Sequence, residues 1–144
     1  EFVLRDYKNS DYKKLNELWQ ETGLGGRQRG DDDKIIAQSL KIGGKLIVIE
    51  NTETNEIIGS SWMTFDGRRI HLHHIGVKTK YQNRGFGKLL TIESLKYAKQ
   101  IGYQIKLEVH QSNKKAISIY QKLGFKFLGD YDVYIVRELN SINF

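Results

Sequence analysis

The stretch QNRGFGKLL, residues 82–90, sets two glycines one residue apart between Arg84 and Lys88, just ahead of an apolar run with helical spacing. A helix N-terminus carries about half a positive charge and several unpaired N–H groups. Glycine in the preceding loop lets an anion approach those groups, because no Cβ blocks the path. The stretch therefore reads as a cradle for a phosphate or diphosphate, with Arg84 and Lys88 adding side-chain charge. The competing reading is a tight turn before a helix. GxxxxGK[ST] is missing, and GxGxxG fails because position 90 is leucine. Three further groups could move protons. His71 and His73 lie two apart, so a strand would set them on one face, and a neutral imidazole suits proton relay. Alternation in IKLEVH, 105–110, puts Glu108 opposite Leu107 and Val109. Tyr120 shares a helical face with Ala116 and Leu123 and could equally be a core aromatic. No third ligand accompanies the histidine pair, so no metal site is expected. One of Asp31, Asp32 and Asp33 is expected to cap a helix rather than bind metal.

The elements that must position these groups follow from periodicity. FVLR, 2–5, reads as a strand and 12–21 as a helix with Leu15, Leu18 and Trp19 on one face. A glycine-rich charged loop, 22–34, precedes a second helix through IIAQSLKI. KLIVIE (45–50), IIGSSWMTF (57–65) and IHLHHIGV (70–77) read as strands, the last two joined by the turn DGRR. His74 is expected to face away from His71 and His73 and to pack. A helix over 84–101 ends at Gly102. The strand 105–110 precedes a helix opened by Asn113 and closed by Gly124. FKFLG and DVYIVREL are expected to finish the fold as two strands. This order indicates an α/β sandwich with a mixed sheet.

The 144 residues fit one domain, 1–144. A hydrophobic share of 39% supports a core, and no apolar run approaches a membrane span. The absence of cysteine excludes disulfides and thiol nucleophiles and fits a cytoplasmic protein. The net charge of +6 is dispersed, which favours a local polyphosphate site over nucleic acid.

Q-x-x-G-x-G after a strand ending in valine (Gln82, Gly85, Gly87), followed by N-x-x-A-x-x-x-Y-x-x-x-G-F (Asn113, Ala116, Tyr120, Gly124, Phe125), resembles the GNAT superfamily of N-acetyltransferases. The resemblance implies a mixed sheet with helices on both faces and with strands 4 and 5 splayed around acetyl-CoA. It implies that backbone groups of Ile75 and Val77 pair with the pantetheine arm. The N–H groups of Gln82, Asn83, Arg84, Gly85, Phe86, Gly87 and Lys88 would hold the diphosphate. Asn113 would touch the pantetheine or cap its helix. Tyr120 would serve as general acid toward the sulfur. LEVxxSNxxAxxxYxxxGF is similar to bacterial ribosomal-protein N-terminal acetyltransferases, which implies Glu108 as base. HLHxxxV is similar to arylalkylamine acetyltransferases, which implies His73 instead, with His71 behind it. The implied function is transfer of an acetyl group to a primary amine of a small molecule or peptide; the alternative is an acyl-CoA-binding module without turnover. Arg27, Arg29 and the aspartates could meet the acceptor, and Trp62, Phe65 and Tyr134 could line its pocket, although each also reads as surface charge or core. The proline often found in the family between the valine and the loop is replaced by KTKY, 78–81, which puts the turn geometry in question. A homodimer is left open by the expected C-terminal edge strands.

Overall fold

The computed structural model describes residues 1–144. Its centre is a five-stranded sheet in the order β1 (Phe2–Asp6), β2 (Lys45–Asn51), β3 (Glu56–Phe65), β4 (Ile70–Val77) and β5 (Ile105–Leu107). The first three pairings are antiparallel and β4–β5 is parallel, so the sheet is mixed as expected. Helices α1 (Tyr12–Glu21) and α2 (Asp33–Lys41) cover one face; α3 (Phe86–Ile101) and α4 (Lys114–Lys122) cover the other. No helix is long and apolar enough to cross a membrane.

Strand alternation sorts the core into two clusters. Leu46, Val48, Ile57 and Trp62 meet Leu15, Leu18 and Trp19 of α1 and Ile36 of α2. Ile47, Ile49, Ile58 and Leu72 meet Leu90 and Ala98 of α3. Leu15, Leu18 and Trp19 are fully buried, which contributes about 1.5–3 kcal/mol for each aliphatic side chain. Asp32 is the aspartate that caps α2, its carboxylate accepting the Ile35 N–H at 2.9 Å. Gly102 ends α3 with φ of 82°, a left-handed conformation suited to glycine.

Two features differ from the alternation pattern. Ser60 pairs with Gly76 and Trp62 with His73, so β4 carries one residue more than β3 across this interval. This bulge puts His74 at φ 45° and turns its ring onto the α1/α2 face, against Trp19 and Trp62, rather than away from His73. The second difference is at the C-terminus. FKFLG and DVYIVREL form no strands; residues 125–138 are irregular, and Phe127, Tyr131, Tyr134 and Ile135 are exposed. β5 offers only three paired residues, and Gly129 (φ 60°) and Asp130 (φ 55°) interrupt the extended backbone between the two apolar runs. Tyr134 therefore lines no pocket wall. Trp62 is core, stacked 5.6 Å from Trp19 and donating its indole N–H to Ser39.

Candidate active site

Pairing between β4 and β5 stops at Leu72–Leu107, so residues 73–77 present an edge that β5 does not cover. A cavity of about 230 Å³ opens there, bounded by Ile75 and Val77 of β4, the loop before α3, and Asn113 and Tyr120 of α4. The loop is shaped by Gln82. Its N–H donates to Thr79 O at 3.2 Å and its side-chain amide donates to Val77 O at 2.9 Å, which folds the turn back on the strand end without a proline. Asn83 (φ 64°) and Gly85 (φ 88°) then adopt left-handed backbone, and α3 begins at Phe86.

The consequence is a run of free donors. None of the N–H groups of residues 83–88 donates to a protein acceptor; the first engaged amide of the helix is Leu89, bonded to Gly85 O at 3.0 Å. A Cβ built at Gly85 or Gly87 would meet nothing within 4 Å, so the approach to these donors is open. Lys88 and Lys115 add positive charge to the wall. Arg84 does not line the cavity: its guanidinium packs over Phe2, Tyr81 and Phe86 at 5.1–5.8 Å. Helix polarity, unpaired amides and open access together fit a diphosphate. Lys115 stands outside the glycine motif; its only sequence signal is the basic pair after the Asn113 cap.

Asn113 accepts the Ala116 N–H at 3.2 Å and also borders the cavity, so capping and ligand contact are compatible. Tyr120 is buried, with its ring edge-on to Phe125 at 5.6 Å. Burial pushes its hydroxyl up to about 12, so it keeps its proton throughout the neutral range. That hydroxyl has no hydrogen-bond partner within the protein.

The other candidates lie across the sheet. The His71 and His73 rings stack at 3.9 Å, on one face as their spacing requires. His73 Nε2 is 2.8 Å from the Thr64 hydroxyl. Burial, with His71 and His74 adding to it, pulls His73 down to about 3. Burial also lowers His71, with Glu108 opposing it. Glu108 Oε1 stands 3.6 Å from His71 Nε2, a contact too long for a hydrogen bond. His74 Nε2 lies 3.0 Å from Asp31, and its carbonyl accepts the Ser60 hydroxyl at 2.7 Å, which ties the loop before α2 to the bulge. Tyr120 thus faces the cradle, while Glu108, His71 and His73 form a separate group on the α1/α2 side of the splay.

Residues 12–125 match the acetyltransferase (GNAT) family. The chain belongs to that family. An acetyltransferase of Sodalis glossinidius is 27% identical over 124 residues, covering 85% of this chain and 86% of the relative. An acetyltransferase structure from Trypanosoma brucei superposes with TM-score 0.77 at 23% identity, over 94% of this chain and 100% of that one. The structure of AAC(6')-Iy in complex with a bisubstrate CoA analogue superposes with TM-score 0.74 at 16% identity, over 94% and 98%. Two mycothiol acetyltransferases match about half of this chain, which spans 28% and 23% of their lengths. Members of the GNAT family use acetyl-CoA as acetyl donor.

Proposed function

We propose that this GNAT chain is an acetyl-CoA-dependent N-acetyltransferase acting on a primary amine of a small molecule or peptide. The observation that carries the reading is the run of unpartnered amides at residues 83–88, opening into the same cavity as Tyr120. In the proposed site these amides, with Lys88 and Lys115, hold the diphosphate, and the free edge of Ile75 and Val77 guides the pantetheine arm. Bound acetyl-CoA supplies an activated acetyl group as a thioester. Glu108 accepts the proton from the acceptor's ammonium, which frees its lone pair. The amine nitrogen bonds to the carbonyl carbon, the carbon–sulfur bond breaks, and Tyr120 gives the departing sulfur a proton; the second proton, shed by the nitrogen as the amide forms, passes through solvent to restore the Tyr120 hydroxyl. His73 serves poorly as base, because an imidazolium held near 3 returns its proton at once. Its role in the proposal is to stack on His71 and orient it toward Glu108.

One observation favours a second reading, coenzyme binding without turnover: Tyr120 and Glu108 do not line one cavity. A panel of primary amines scored by release of free thiol separates the two readings. Turnover lost in Tyr120→Phe and Glu108→Gln supports the enzyme. Tight acetyl-CoA binding with no thiol released from any amine supports the binding module.

A further inference from the structure

The turn Asp66–Arg69 leads into β4, and one oxygen of its carboxylate is engaged within the turn. Asp66 Oδ1 accepts the N–H groups of Arg68 and Arg69, each at 2.7 Å. Lys106 of β5 pairs in register with His71, so its side chain lies on the same face. Arg68, Arg69, Lys106, Asp66, Thr64, Phe65 and His71 border a cavity of about 180 Å³, distinct from the one that holds Tyr120. None of these three cations forms an ion pair. Three cations against the single carboxylate of Asp66 leave the hollow net positive, which favours an incoming anion. The guanidinium forks of two arginines suit the paired oxygens of a phosphate or carboxylate.

His71 joins this cavity to the chemistry, because it borders the hollow and contacts Glu108. We infer that the cavity of Arg68, Arg69 and Lys106 binds an oxyanion of the acceptor itself, so the amine acetylated here carries a phosphate monoester or a carboxylate on the same molecule. The inference rests on the proposed reaction, with Glu108 receiving the amine's proton, and it adds the acceptor's class. An anion held by the cations projects its own amine past His71 toward Glu108.

Matched probes test it by calorimetry on the full chain saturated with coenzyme A: ethylamine, β-alanine, O-phosphoethanolamine, and the longer pair glucosamine and glucosamine 6-phosphate. At least one anionic amine is expected to bind about tenfold or more tightly than its neutral counterpart, since charge-assisted bonds supply that much. The phosphate and carboxylate arms identify which oxyanion is taken. Arg68→Ala combined with Arg69→Ala should erase the difference while coenzyme A binding stays intact, which also certifies the fold. Equal binding of neutral and anionic amines, or a preference that survives the double substitution, overturns the inference. So does inorganic phosphate binding as tightly as every phosphorylated amine, because the site would then recognise an anion and no acceptor. Thiol release tests the reaction separately, so the failure of either idea is visible by itself.

Discussion

Gly87→Ala should make the folded protein more stable and the coenzyme complex weaker. Gly87 is the second residue of α3, and a Cβ there meets no atom within 4 Å, so the substitution creates no clash. Replacing glycine by alanine in the first helical turn reduces the entropy lost on folding and should stabilise by about 0.5 kcal/mol. For a chain of this size that is a rise in Tm of about 2 °C. Helical Cβ atoms point toward the N-terminus, so the new methyl enters the space above the free amides of residues 83–88. Displacing a phosphate from one such charge-assisted bond costs about 1.5–3 kcal/mol, or roughly ten- to a hundredfold in Kd. Thermal melts of the free protein and calorimetry with acetyl-CoA supply the two numbers. A variant with higher Tm and unchanged Kd would refute the reasoning, because the methyl would then occupy space that no ligand uses.

Tyr120→Phe should lower kcat by about 10²–10⁴ with little change in KM for acetyl-CoA, read by thiol release at saturating substrate. Because the folded-state pKa of Tyr120 is raised to about 12, its contribution to stability is full below pH 10 and is lost as pH rises toward 12. Alkaline denaturant titrations should show that limb flattened in Tyr120→Phe. His73 works in the opposite direction. Its pKa is depressed from 6.5 to about 3, so its contribution is present above pH 6.5 and is lost as pH falls toward 3. The effect is on the order of 4–5 kcal/mol, and urea midpoints of His73→Gln should depend less steeply on pH across that window. Asp32→Ala removes the α2 cap and should lower Tm by about 3 °C, leaving acetyl-CoA affinity unchanged.

Local signals made much of this chain legible. The glycine pair announced a helix start with open amides, and the i, i+2 histidines announced a shared face; both depend only on backbone geometry within a few residues. Asp32, Asn113 and Gly102 took the capping positions their side chains or backbone favour. What escaped was set by partners distant in sequence. The β4 bulge arises from how Ser60 and Trp62 register against β4, and it reversed the face of His74. The apolar runs after Phe125 have strand-like composition, but composition supplies no neighbouring strand to bond with. Arg84 looked like a phosphate ligand because it is basic and adjacent to the glycines. Three aromatic rings, one of them from β1, hold it elsewhere.

The central claim is that the backbone donors of residues 83–88 seat a diphosphate next to Tyr120. Titrating the isotopically labelled protein with acetyl-CoA and following its amide resonances tests this most directly. The account predicts that the amides of residues 83–88 move together, saturably and further than those of the Asp66–Arg69 turn. Saturable binding that leaves those resonances in place would contradict it.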